Sequence, residues 1–274
     1  MFNPTPAMAG WFGYPLELDD RLRLIKEAGF KAVLLWWAVR SEFEPPIPHK
    51  VETAAKHGLE VENAHLQFAH VNSLWEDGIE GESYTNELIG LIASAATYGV
   101  DTLVVHLTRT LTPPGPNELG YSRFMRLVDT AERVGVDLAF ENLKVVDRLY
   151  DFMAAAGSAR IGVCFDAGHN HYVCPERRVC RDFAPFIKAV HLHDNFGTSD
   201  DHLIPFDGNE DWELVRREII DSAYTGAWSL EIEHALTDKF GKQLSPNDPY
   251  GDMPPEEYLA RAFAAHKRLT GGSV

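Results

Sequence analysis

Cysteine is scarce in this chain: Cys164, Cys174 and Cys180 are an odd set of three, and no two form a C-x-x-C pair. A disulfide framework and a thiolate zinc finger are therefore excluded, and a reducing, cytoplasmic compartment is expected. Long apolar runs are missing too, so no membrane-spanning helix is expected. The opening MFNPTPAMAGWFGY lacks the basic stretch that begins a secretory signal. Positive charge is thin, with 41 Asp plus Glu against 25 Lys plus Arg and a formal charge of −16. No Lys/Arg run offers a phosphate-tracking stripe, which disfavours nucleic acid as a partner, although an acidic protein can still carry a local basic groove. G-x-S-x-G, H-E-x-x-H and P-loop motifs are absent, leaving serine hydrolase, zincin and nucleotide hydrolase readings without support.

What is present is a repeat punctuated by glycine: KEAGFKAV, AKHGLEV, ATYGVDTL, ERVGVDLA, AAAGSARIGV and AYTGAWSL. Each reads as a helix end, a left-handed turn and a β-rich run. The spacing predicts strands near 7–13, 31–37, 59–66, 101–107, 137–142, 161–166, 187–193 and 226–232. Helices are predicted near 17–28, 46–57, 82–98, 120–134, 146–156, 176–184, 211–222 and 254–269. Eight alternating strand–helix units in 274 residues, 45% apolar, predict a single-domain α/β chain over 1–274 folded as a (β/α)8 TIM barrel. The segments leaving strands are long, at 38–45, 67–81, 108–119, 167–175, 194–210 and 233–253, and such loops gather on the face where a barrel builds its site.

Six of these strands end on a metal-ligand side chain: His65, His106, Glu141, Asp166, His191 and Glu231. Parallel closure would bring them to one mouth. The period of two puts Ala139 with Glu141, Cys164 with Asp166, and Ala189 with His191 and His193 on one face, and their bulky neighbours on the other. Small residues and ligands are thus expected in the lumen. Three carboxylates and an imidazole from Glu141, Asp166, His191 and Glu231 make an oxygen-rich set suited to one divalent ion, Mn²⁺, Mg²⁺, Co²⁺ or Zn²⁺.

GVCFDAGH at 162–169, HLHDNFG at 191–197, Asp200 and His202 followed by Asp211-Trp212, FEN at 140–142 and SLEIE at 229–233 resemble the xylose isomerase-like TIM-barrel superfamily from first strand to last helix. The superfamily includes sugar isomerases and epimerases, inosose and dehydroshikimate dehydratases, and endonuclease IV repair enzymes. The resemblance implies that Glu141, Asp166, His191 and Glu231 hold the metal, and that Glu141 and Glu231 also carry protons to and from a metal-bound enediolate. It implies substrate contact for His169. The same anion with a β leaving group would lose water, so a dehydratase of a polyol ketone is an alternative reading. His65, His106, Glu141, Asp166, His169, His191, Asp200, His202 and Glu231 also match in type the residues that hold three zinc ions in the endonuclease branch, so additional zinc and abasic-site cleavage form a second alternative. The chain departs from that branch at Asp166-Ala167-Gly168-His169, where Asp-Thr-Cys-His is usual, and at Asp200-Asp201-His202, where Asp-Arg-His is usual.

Trp11, Phe12, Trp36, Trp37, Phe68 and Trp75 fall near the ends of the first three strands, where rings could stack on a sugar or shield an enediolate. Trp11 and Trp37, with His65, His106, His169, Asp200 and His202, are the candidate substrate contacts. Arg109, Lys144 and Arg148 are candidates for a substrate phosphate or carboxylate. The expected partner is a small sugar or polyol ketone, and exposed barrel helices make a homo-oligomer an open expectation.

Overall fold

The aliphatic and aromatic runs AVLLWW and IGVCFD suit a strand buried on both faces, and both form one. The computed structural model describes residues 4–38, 45–234 and 247–271. In chain order the elements are β1 (Pro6–Ala9), α1 (Leu18–Ala28), β2 (Ala32–Trp37), α2 (Ile47–Lys56), β3 (Glu60–Leu66), α3 (Ile79–Thr97), β4 (Thr102–Val105), α4 (Glu118–Val134) and β5 (Asp137–Glu141). There follow α5 (Val146–Ala156), β6 (Ile161–Asp166), α6 (Ala167–Val173), α7 (Val179–Asp182), β7 (Ile187–Leu192), α8 (Trp212–Asp221), β8 (Trp228–Leu230) and α9 (Pro255–Thr270). Neighbouring strands pair in parallel, and β1 also pairs with β8, closing an eight-stranded TIM barrel. Among the described residues no helix is long and apolar enough to cross a membrane.

The glycine punctuation is physical at five of its six positions: Gly29, Gly58, Gly99, Gly135 and Gly157 all have positive φ. Gly226 does not; there Ala223 takes the left-handed turn, and a Cβ on Gly226 would meet the Tyr224 hydroxyl at 2.3 Å.

Several expected boundaries move. The segment 167–175, expected as loop, contains α6, and the helix expected at 176–184 shrinks to α7. Helix α6 starts because the Asp166 carboxylate accepts from the His169 N–H at 2.7 Å, an N-cap; it is too short to show an apolar period. Strands β1 and β8 stop short of the expected 7–13 and 226–232, and a 3-10 turn at Val71–Trp75 breaks the loop expected at 67–81. Of the expected loops 38–45 and 233–253, residues 39–44 and 235–246 lie outside the described residues.

Strand alternation sorts the core. Leu138, Phe140, Val163, Phe165, Val190 and Leu192 belong to the main apolar core between barrel and helices. Phe140 meets Phe152 of α5 with centroids 4.6 Å apart, and burying each such ring contributes about 1.5–3 kcal/mol. Val104, Ala139, Cys164 and Ala189 form a separate small cluster. These lumen residues are small, which leaves room for the long ligands at the barrel top.

Candidate active site

Four side chains converge where β5 to β8 end. Asp166 and His191 are register partners across β6 and β7; Glu141 closes β5, and Glu231 follows β8. Ligand atoms of Glu141, Asp166, His191 and Glu231 all lie within 4.8 Å of one another. The His191 Nδ1 sits 3.2 Å from Glu141 Oε1 and 3.0 Å from Glu231 Oε2. Asn142 locks the ends of β5 and β6: its Nδ2 donates to the Asp166 carbonyl at 2.9 Å, and its Oδ1 accepts from the Asp166 N–H at 2.8 Å.

The donor set fits a divalent cation. Asp166 Oδ2 is buried without a hydrogen-bond partner, the His169 Nδ1 lying 3.5 Å away. Three carboxylates around one imidazole concentrate negative charge in a desolvated place, which costs several kcal/mol per ion where it is not offset. A metal among these oxygens would remove that penalty. Burial pushes the Glu141 carboxyl up, but hydrogen bonds from His106, His191 and His65 outweigh it and hold it well below the usual range. Burial likewise opposes ionisation of Glu231, and the charge and hydrogen bond of His191 override it, so its pKa is lowered.

Two histidines from β3 and the end of β4 approach Glu141 from the other side. His106 Nε2 is 2.6 Å and His65 Nε2 3.5 Å from Glu141 Oε2. Because the Leu66 carbonyl can only accept, His65 must donate to it from Nδ1 at 2.9 Å, which leaves Nε2 facing the site. Phe68 stacks on His106 with centroids 4.1 Å apart, and Trp36 on His65 at 5.4 Å.

A further group, His169, His193, Asp200 and His202, has ligand atoms within the same 4.8 Å limit. His202 holds a left-handed backbone at φ 50°, donates from Nδ1 to the Glu231 carbonyl at 2.6 Å and turns Nε2 to Asp200 at 3.5 Å. Burial opposes its protonation, yet the Asp200 carboxylate prevails and raises its pKa to about 9. His193 lies flat against His202 at 4.0 Å and reaches Asp166 Oδ1 at 3.0 Å. Gly168 must be glycine, since a Cβ there would fall 2.1 Å from the His193 ring. The loop carrying Asp200 and His202 hangs on Asp194. That fully buried carboxylate accepts from the N–H groups of Asn195, Glu210 and Phe206 and from the Trp212 indole, at 2.7–3.1 Å.

A cavity of about 200 Å³ opens over these groups, lined by His65, His106, Glu141, His169, Asp200, His202 and Glu231, with Phe68, Thr108, Arg109, Thr110, Leu143 and Lys144 completing the wall. Trp37 is a correction. It is fully buried on the outer face of β2, and its indole donates to the Leu91 carbonyl at 3.1 Å and to Ser94 Oγ at 3.0 Å, so it cannot touch a substrate. Trp11 is also displaced from its expected place: it does not line the cavity, but lies under the Arg21 guanidinium at 4.9 Å and hydrogen-bonds Glu233. Phe12 and Trp75 are core.

Three residues near the centre were given no role from the sequence. His193 follows the lumen alternation of β7 but lies one residue past its end. Glu233 shares the alternation of Glu231, and burial raises its pKa to about 7. Glu62 of β3 reaches across the lumen to the Ser229 hydroxyl of β8 and accepts from Asn63 Nδ2 at 2.7 Å; burial raises it to about 7. Glu62 is the extra residue where the β2–β3 register shifts, so alternation counted from His65 would have pointed it outward.

A family described as xylose isomerase-like TIM barrel matches residues 22–265. The uncharacterised protein y4fM of Sinorhizobium fredii is 39% identical over 128 residues, which is 46% of this chain and 36% of that protein. Among solved structures, D-psicose 3-epimerase from Clostridium cellulolyticum H10 with D-tagatose superposes at a TM-score of 0.78 with 13% identity, covering 98% of this chain and 100% of that one. L-ribulose 3-epimerase superposes at 0.78 with 16% identity, covering 98% and 95%. At such identities the likeness is one of fold.

Proposed function

The chain belongs to the xylose isomerase-like TIM barrel family, and on that premise we propose that it is a divalent-metal-dependent isomerase or epimerase of a sugar or related polyol ketone. One observation carries the reading: two carboxylates, Glu141 and Glu231, flank the same His191 Nδ1 at 3.2 and 3.0 Å and both line the cavity. One Mn²⁺, Mg²⁺, Co²⁺ or Zn²⁺ held by Glu141, Asp166, His191 and Glu231 would polarise a substrate carbonyl and its neighbouring hydroxyl, making the C–H between them acidic. The epimerase structures of the same fold support a sugar as substrate.

Glu231, with 19% of its side chain exposed against 1% for Glu141, opens further to the cavity and is assigned as the base that takes the C–H proton. Glu141, tied to His65 and His106, returns a proton to the enediolate or holds it for the return. Return to the same carbon from the other face epimerises; return to the neighbouring carbon isomerises. His169, Asp200, His202 and Phe68 line the cavity, where His169, Asp200 and His202 would hydrogen-bond substrate hydroxyls and Phe68 would cover an apolar face of the sugar. The test is solvent deuterium incorporation: the metal-loaded protein should exchange a carbon-bound hydrogen of a ketose in D₂O. Absence of exchange across ketoses, keto-acids and inososes would remove this reading.

A second reading has an observation of its own. Three abutting ligand sets surround the mouth: His65, His106 and Glu141; Glu141, Asp166, His191 and Glu231; and His169, His193, Asp200 and His202. Three zinc ions could occupy them, which is the endonuclease IV-like alternative. Asp201 in place of an arginine and the acidic balance of 41 to 25 weigh against a DNA substrate. Metal analysis separates the readings, with about one ion per chain for the isomerase and about three for the nuclease.

A further inference from the structure

Two cations line the cavity among its described residues, Arg109 and Lys144. Resting on the reading of that cavity as a ketose site, we propose that the substrate is anionic, carrying a phosphate or carboxylate at its end remote from the carboxylate cluster, and that Arg109 with Lys144 binds this oxyanion.

Arg109 is a placed cation. Both arms of the Asn72 amide clamp its backbone, Oδ1 accepting from the Arg109 N–H at 2.8 Å and Nδ2 donating to its carbonyl at 2.9 Å. The guanidinium donates from Nη1 to the Ala69 carbonyl at 3.2 Å and lies 5.8 Å from the Phe68 centroid. Phe68 in turn stacks on His106, whose Nε2 bonds Glu141. The positive charge therefore stands one aromatic ring and one imidazole away from the proton-transfer carboxylate. Its Nε and Nη2 edge remains for a planar pair of oxyanion contacts.

What sets this guanidinium apart is its place, since it lines the cavity without a carboxylate partner among the described residues. Arg23, Arg126, Arg177 and Arg261 each meet a carboxylate, and Arg268 lies over the Phe206 ring instead. Arg109 and Lys144 have no carboxylate within 4 Å among the described residues; the Lys144 Nζ instead lies 5.7 Å from the Tyr172 ring. An anionic ligand entering a mouth rimmed by Glu141, Asp200 and Glu231 needs such cations to offset repulsion. Arg148 takes no part, because it lies outside the cavity lining with its guanidinium 4.7 Å from the Trp75 ring.

The experiment follows deuterium exchange by the metal-loaded protein on neutral ketoses, their phosphates and the matching uronates, with Arg109→Gln, Arg109→Lys and Lys144→Gln. One anionic set should exceed its neutral counterparts in kcat/KM by about 10²-fold or more, and which set does so identifies phosphate or carboxylate. Arg109→Gln should raise KM for that set by about tenfold or more with kcat nearly kept and neutral ketoses unaffected, and Arg109→Lys should restore part of the loss. Equal use of neutral and anionic ketoses, or equal damage to both by Arg109→Gln, overturns the subsite. If no ketose exchanges deuterium, calorimetric binding of a ketose phosphate that Arg109→Gln abolishes keeps the subsite while the isomerase reading falls; no binding removes both. Salt-sensitive binding of an abasic duplex lost in Arg109→Gln would assign the cations to a nucleic-acid backbone and overturn the proposal.

Discussion

The two sides of the barrel mouth are built from different chemistry on the same kind of strand end. Over β5 to β8 stand Glu141, Asp166, His191 and Glu231, three of them acids whose charge has to be neutralised. Over β2 to β4 stand Trp36, His65 and His106, with Phe68 just beyond, each ring stacked on a neighbour. One side presents charge, the other flat polarisable surface. The difference separates labour: the acidic side should set the rate of the chemical step, and the aromatic side should set affinity.

Glu231→Gln tests the acidic side most directly. It keeps the shape and removes the base, so turnover should fall by more than about 10²-fold while substrate binding survives in part. Steady-state kinetics on a deuterium-exchanging substrate would read it. Near-normal kcat would take Glu231 out of the mechanism and dissolve the division between the two sides.

Metal removal tests the same side through stability. At a metal concentration of 100 times Kd, a bound ion adds about 2.7 kcal/mol, so chelation should lower Tm by roughly 5–11 °C for a chain of this size. Asp166→Asn should lose most of that metal-dependent rise, while His65→Gln should keep it if the carboxylate set alone holds the ion. Equal loss in both variants would mean that the imidazoles of β3 and β4 are ligands too, merging the two sides into one polymetal centre.

The acidic side was also the more legible one. Glu141, Asp166, His191 and Glu231 each end or follow a strand whose alternation is plain in sequence, and closure of the barrel does the rest. The aromatic side was read less well, because Trp36 and Trp37 are neighbours on one strand and only the packing of Trp37 with Val33 and Leu35 in the outer core settles which faces inward. Helix α6 escaped notice because its start depends on the Asp166 side chain, a residue already read as a ligand, rather than on any apolar period. Asp194 lies in the same HLHD run as two site histidines, yet its task of suspending the loop by four hydrogen bonds is visible only in three dimensions.

On the aromatic side the expected effects are smaller. Phe68→Ala removes the ring stacked on His106 and, with it, a stack of about 0.5–1.5 kcal/mol, so KM should rise about 2- to 12-fold with kcat largely kept. A fall in kcat as deep as that of Glu231→Gln would show that the ring orients His106 for the proton transfer itself.

The smallest effect belongs to the outward partner of the tryptophan pair. Trp37→Phe keeps a ring in the core between β2 and α3 but deletes the indole N–H that serves the Leu91 carbonyl and Ser94 Oγ. The Leu91 carbonyl also accepts from Ser94 Oγ, so losing the indole does not strand it. The cost should be that of a neutral buried hydrogen bond, about 0.5–1.5 kcal/mol, seen as a Tm lower by roughly 1–6 °C with KM unchanged. Trp36→Phe should do the reverse, altering KM through the stack on His65 with little change in Tm. If thermal melts and kinetics assign the two variants the other way round, β2 presents its opposite face to the lumen, and the aromatic side must be rebuilt around Trp37.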